Sequence, residues 1–186
     1  MEAITAIHTR HSVPKVKPEA VPRELVEKLL SAAVQAPNHY KNRPWRFVVL
    51  TGAGRERLGE VMARSFKAKF SQVPDEALTK ERQKPLRAPV LIAVGVERPS
   101  EPKIVEIENI CAVAAACQNI LLAANALGLG AMWRTGEAAR DPEIKKFLGF
   151  EPEMDLVSFI YVGYPDFIPD GYPERAGFED HTVWID

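Results

Sequence analysis

An α+β domain with a central sheet and an obligate interface is what this sequence predicts, and three observations carry that prediction. The 186 residues suffice for one substantial core but not for two ordinary domains, and no repeat or linker divides them, so 1–186 reads as a single domain. The apolar patterns run helices first, then strands interleaved with helices. The longest helix, over residues 104–127, is apolar nearly all round, so a sheet and further helices or a partner chain must enclose it on several sides.

Ala3, Ile4 and Ile7 recur at helical spacing and predict a short helix over residues 2–9, which gives way to a polar loop stopped by Pro14. Pro22 opens a second helix with Leu25, Leu29, Leu30, Ala33 and Val34 on one face; it ends before Pro37, because a residue preceding proline avoids the helical region. Residues 45–51 are a β-rich run and predict a buried strand. A glycine turn then leads into a helix near 54–70. The polar and basic stretch 71–88 predicts a mobile, partly helical excursion. Residues 89–96 and 156–163 predict two more buried strands, and 131–135 a short strand or turn. A small helix is expected over 141–148, with Asp141 as its N-cap before Pro142. From Pro165 onward the chain lacks periodicity and is expected to wrap a surface.

The net charge of −1 argues against a general nucleic-acid binder, which needs a basic face. Cys111 and Cys117 match no metal or redox spacing and read as small buried hydrophobes in a reducing compartment. Gln118, Asn119 and Asn125 interrupt the apolar helix and favour a core helix over a membrane span. With no basic and apolar leader at the N-terminus, the expected location is the cytoplasm. Gly52 and Gly54 follow a strand as a dinucleotide fingerprint would, but Arg57 occupies the third glycine's position. The four histidines have no zinc spacing, and no serine sits in a G-x-S-x-G elbow.

Three polar clusters remain, each where a helix or strand ends. Arg10-His11-Ser12 joins a permanent charge, an imidazole and a hydroxyl, a combination suited to a phosphate and neighbouring hydroxyls and equally possible in a solvated loop. Ala36-Pro37-Asn38-His39, running to Arg43-Pro44-Trp45, is a rigid polar loop that could present donors at fixed geometry or simply turn the chain. Gly128 to Thr135 places Arg134 and a hydroxyl directly after small residues that allow close backbone approach, and could equally be only a helix stop and a buried tryptophan.

In order and spacing these clusters resemble the nitroreductase family, particularly its small single-domain members. The likeness extends to the R-A-P run at Arg87-Ala88-Pro89, the alanine-rich helix ending G-x-G, the element from Trp133 to Gly136, and Gly163-Tyr164-Pro165 after the late strand. The resemblance implies a mostly antiparallel sheet flanked by helices, in an intertwined homodimer with a C-terminal extension and FMN at the subunit interface. It implies that Arg10, His11 and Ser12 bind FMN, that Gln35 and His39 reach the same flavin from the partner subunit, and that Trp133, Arg134 and Thr135 complete the site. Ala123, Ala124, Asn125, Ala126, Leu127 and Gly128 would form the nicotinamide-side surface. Two positions depart from the family pattern: Pro14 stands where a second basic residue is common, with Lys15 as a candidate substitute, and Gln35 is neutral where a base is frequent.

The activity implied is a ping-pong transfer of reducing equivalents from NADH or NADPH through FMN to nitroaromatic, quinone or similar oxidised small molecules, with no protein nucleophile. The cofactor carries the hard chemistry and the protein supplies binding, orientation and electrostatics. Arg10 is the candidate to stabilise negative charge on the reduced flavin, and 71–88 the candidate gate. The competing readings are an FMN storage or sensing protein without turnover, and an interaction module that binds no flavin.

Overall fold

The computed structural model describes residues 1–70, 72–167, 171 and 175–185. Four strands, β1 (Trp45–Thr51), β2 (Val90–Val96), β3 (Gly130–Arg134) and β4 (Asp155–Gly163), form one sheet in the order β1-β2-β4-β3, every neighbouring pair antiparallel. Alternation along the strands divides the core. Ile92, Val94, Ile160 and Val162 face one side with α2 (Arg23–Ala33) and α5 (Glu106–Ala126). Leu91, Ala93, Phe159 and Tyr161 face the other, against α3 (Ala53–Lys69) and α7 (Pro142–Phe147). β2 is buried at every position, as a strand covered on both faces must be.

α5 has the length and apolarity of a membrane span. Its Val113, Ala116, Cys117, Ile120 and Ala124 pack in the core, however, and its asparagines bond to neighbouring elements. Asn109 Nδ2 donates to the Glu97 carbonyl at 3.1 Å, Asn119 Nδ2 to that of Ala32 at 3.1 Å, and Asn125 Nδ2 to that of Ala6 at 3.1 Å. Such bonds satisfy amides that would otherwise be costly to bury.

The expected helices and strands are present within one or two residues, with α1 at Ala3–Thr9. β1, expected to be buried, is not: it lies at the edge of the sheet, so only Trp45 and Leu50 are buried while Arg46, Val49 and Thr51 are exposed. The partly helical excursion expected over 71–88 is seen in its described residues, where α4 (Asp75–Gln83) and a 3-10 turn (Lys84–Arg87) pack on α3, with Leu78 and Pro85 buried. Gly59 makes this contact possible, since a Cβ there would lie 2.4 Å from the Arg82 carbonyl oxygen. A further short helix, α6 (Glu137–Arg140), follows β3 and was not foreseen, because four residues give no period to read.

Asp141 caps α7 as expected, Oδ1 accepting from the amides of Glu143 at 2.9 Å and Ile144 at 3.3 Å. Its Oδ2 accepts from Lys69 Nζ at 2.7 Å and from the Ser65 hydroxyl, fastening α7 to α3. Burial of Asp141 opposes ionisation, but the bonds from Lys69, Ser65 and Ile144 outweigh it and hold the carboxyl below its ordinary range. Cys117 is buried beside Ser158, its Sγ 3.3 Å from the hydroxyl, and burial pushes the thiol up to about 11. Cys111, expected buried as well, is exposed, because six residues at about 100° each turn it about 120° round the helix from Cys117.

Candidate functional site

The Arg10-His11-Ser12 cluster sits where α1 ends against the C-terminal end of α5. Asn125 Nδ2 donates to Thr9 Oγ1 at 2.8 Å as well as to the Ala6 carbonyl, so one side chain of α5 fixes the last turn of α1. The chain then runs along the outer edge of β3, the Val13 amide donating to the Ala131 carbonyl at 3.0 Å. Lys17 donates to the Tyr164 carbonyl at 2.8 Å, and Val16 bridges Pro165. Two glycines let the loop lie this close: a Cβ on Gly130 would meet Val13 Cγ1 at 2.8 Å, and one on Gly163 would meet Val16 Cγ2 at 2.8 Å. The loop is thus seated on the sheet, which is how a polar loop acquires the fixed geometry a ligand site needs.

Arg10 is half-buried and Ser12 exposed; His11 Nδ1 lies 3.2 Å from the Thr9 carbonyl oxygen. A residue missed by the sequence reading joins them. Arg175 Nη2 donates to the Arg10 carbonyl at 2.8 Å, bringing a second guanidinium to the loop. Burial, and then the charge of Arg175, lower the pKa of Arg10. Two cations held together with no carboxylate bonded to either, among the described residues, form a place suited to an anion. No sequence signal pointed to Arg175, since its partner lies 165 positions away.

β3 contributes the third cluster. Trp133 is half-buried and packs on the α5 side of the sheet. Arg134 points to the other face, its guanidinium carbon 5.8 Å from the centre of the Tyr161 ring. Thr135 is exposed and lines a half-open cavity of 610 Å³ with Gly136, Arg140 and Lys145. Of the six positions at the end of α5, Ala126 and Gly128 are exposed, Ala123, Asn125 and Leu127 half-buried, and Ala124 fully buried. The Ala124 side chain therefore serves packing.

The second cluster lies elsewhere. Gln35 is exposed, its Nε2 3.4 Å from the Ser31 carbonyl oxygen. His39 Nδ1 lies 3.1 Å from Glu108 Oε2, an oxygen otherwise buried without a hydrogen bond. The loop following it is strained, with φ of 51°, 54° and 52° at Tyr40, Lys41 and Arg43. It is held by the Asn38 side chain accepting from the Arg43 amide at 2.8 Å and by Asn42 donating to Asn109 at 3.0 Å. His39, Asn38, Ile107 and Cys111 line a second open cavity, of 390 Å³. Glu108 and Asn125, which anchor the two clusters, lie on one helix. At 1.5 Å per residue they are about 25 Å apart. One chain does not bring His39 to Arg10.

A family model described as "Nitroreductase family" matches residues 7–164. The chain belongs to the nitroreductase family. "Putative NAD(P)H nitroreductase YdjA" of Escherichia coli is 31% identical over 165 residues, 89% of each chain. Among solved structures, a nitroreductase-like family protein from Bacillus cereus superposes with a TM-score of 0.84 at 27% identity, covering 100% of this chain and 97% of that one. A "putative nitroreductase in complex with fmn" from Desulfovibrio desulfuricans gives 0.77 at 25% identity, covering 100% and 98%. Nitroreductase members are oxidoreductases, and the helices around an antiparallel sheet are the fold expected of them.

Proposed function

We propose that the chain is a flavin oxidoreductase that binds FMN in a site completed by a second copy of itself and passes reducing equivalents from NADH or NADPH to nitroaromatic, quinone or similar oxidised small molecules. The observation that carries this reading is the Arg10–Arg175 couple, seated on the edge of β3 in a nitroreductase-family chain. The residues fit the group: two guanidinia without a bonded carboxylate suit a phosphate, and the exposed Ser12 hydroxyl and the neighbouring backbone suit a polyol. Arg10, His11, Ser12, Trp133, Arg134 and Thr135 would hold the cofactor from one chain. FMN when bound supplies hydride chemistry that no side chain provides. Arg10, half-buried and permanently charged, stabilises negative charge gathered beside it. Reductant and acceptor occupy the same open face in turn, a ping-pong order, with Ala123 to Gly128 on the nicotinamide side.

The homodimer follows from the separation along α5. Gln35 and His39 join the Arg10 site only if they come from a partner chain, as a two-fold axis beside α5 permits. Further support is the apolar surface one chain leaves open. Val183, Trp184 and Ile185 are 86%, 78% and 93% exposed near the C-terminus, while β1 has no strand on its outer edge among the described residues and adjoins an apolar groove with Val26, Leu30 and Val49. A C-terminal extension crossing between subunits covers both.

The decisive experiment is a visible spectrum of the purified protein before and after anaerobic NADPH, with its mass in solution. A yellow dimer that bleaches and is reoxidised by an added quinone supports the proposal. A yellow protein that no nicotinamide bleaches indicates storage or sensing, and a colourless one after FMN incubation indicates an interaction module. A flavin-saturated monomer overturns the shared site.

A further inference from the structure

The half-open cavity beyond the end of β3 holds side chains that the cofactor contacts leave unused. At 610 Å³ it has the size of a small-molecule site. Thr135 belongs both to its lining and to the contacts proposed above for the flavin, so the two sites adjoin. Ile110 from α5 and Leu156 and Val157 from β4 give the cavity an apolar floor, while Arg140 and Lys145 stand in its wall.

Both cations project from backbone fixed by one cap. Arg140 closes α6 between buried Ala139 and buried Asp141, the residue that Lys69 and Ser65 fasten to α3. The Asp141 carbonyl accepts the Lys145 amide at 3.0 Å in α7. Arg140 makes no side-chain hydrogen bond or ion pair among the described residues, and the Lys145 ammonium has one long contact, Nζ to the Pro152 carbonyl at 3.4 Å. Asp155, the one carboxylate in the lining, already faces Arg98 Nη2 at 3.4 Å. The cavity therefore carries a positive wall over an apolar floor, and a cleft of that kind concentrates anions. A neutral ring would use the floor alone and an inorganic anion the wall alone; an aromatic carboxylate uses both.

We infer that this cavity selects the electron acceptor by charge: it takes small aromatic acids, the carboxylate held by Arg140 and Lys145 and the ring lying on Ile110, Leu156 and Val157 toward Thr135. This rests on the flavin reading above and adds to it a substrate class and two specificity-determining residues. Arg140 and Lys145 hold the acceptor and take no part in the transfer of electrons.

The test is calorimetric titration of the purified protein with para-nitrobenzoate, para-nitrophenylacetate and the methyl ester of each, alongside KM and kcat for their reduction. The wild-type protein is expected to bind the acids more tightly than the esters. Arg140→Gln should weaken the acids at least about fivefold, leave the esters within about twofold, and leave the melting temperature unchanged. Lys145→Gln should act in the same direction, and Arg140→Lys should restore much of the loss. In turnover the Arg140→Gln variant raises KM for the acids and keeps kcat. Equal binding of acids and esters by the wild-type protein, or equal losses for both in Arg140→Gln, overturns the inference. So does a variant that loses a preference for NADPH over NADH with the acids untouched, since the wall then serves the reductant's phosphate. A protein left colourless after FMN incubation overturns the flavin reading instead; the acids must then still bind with the same sensitivity to Arg140→Gln, or this inference falls with it.

Discussion

Two polar clusters share one side of the sheet and are built on opposite terms. At the junction of α3 and α7, both oxygens of Asp141 are used: the carboxylate caps a helix, accepts a hydroxyl and pairs with Lys69. In the narrow cleft by β3, Arg87 and Arg134 make no side-chain hydrogen bond or ion pair among the described residues, and Arg134 lies over the Tyr161 ring. Closed bookkeeping of hydrogen bonds marks a group that holds the fold together. Open valences on rigid backbone mark one waiting for something from outside. The contrast separates structural from ligand-ready polarity more sharply than residue type does, since both clusters combine charged groups with a hydroxyl.

The comparison breaks most visibly at Asp141. Asp141→Ala removes a cap, leaves two amides and a lysine without their acceptor, and is expected to cost about 3 kcal/mol, read as a lower urea midpoint at unchanged slope. An effect below about 1 kcal/mol would show that α7 does not depend on the carboxylate. Next comes Gly130→Ala, which drives a Cβ into Val13. About 2 kcal/mol of destabilisation is expected, with weaker binding of FMN and riboflavin alike, because the whole loop moves. Arg10→Ala lies on the other side of the contrast. FMN retention falls at least tenfold, about 1.4 kcal/mol, while the melting temperature holds; unchanged affinity removes Arg10 from the site.

The smallest effect is one of pH. The Asp141 carboxyl is held below its ordinary value of 3.8, so its stabilisation is present above that value and lost as pH falls through the folded-state one. Asp141→Asn should therefore flatten the acid limb of the stability curve and leave the limb above pH 7 unchanged. An acid limb identical to wild type would show that other carboxylates govern it.

Much of this was legible in the sequence, and for identifiable reasons. β2 announced itself as an uninterrupted apolar run and β4, after its first residue, as one broken only by Ser158, α5 by its length and its glycine stop, and the α7 cap by Asp141-Pro142. The Arg10 and Trp133–Thr135 clusters were found because each is contiguous. What stayed hidden is what folding assembles from far apart. Arg175 reaches Arg10 from the other end of the chain, and Arg87 and Arg134 come to line one cleft only because β2 and β3 both flank β4. The helical part of 71–88 was legible, but not its seat on α3, which depends on Gly59 in the preceding helix rather than on any residue of the stretch itself. Cys111 was misplaced because a helix face shows its exposure only once its neighbours are known.

The rod between the Asn125 and Glu108 anchors has a genetic consequence. Where each catalytic chamber borrows His39 from one chain and Arg10 from the other, lesions at the two ends damage every chamber of a uniform population. Mixing and reassembling chains that carry His39→Ala with chains that carry Arg10→Ala produces hybrids in which one chamber collects both lesions and the other collects none. Activity should then reappear from two inactive parents, approaching one quarter of the wild-type level at equal input, and two variants altered at the same end should never rescue one another.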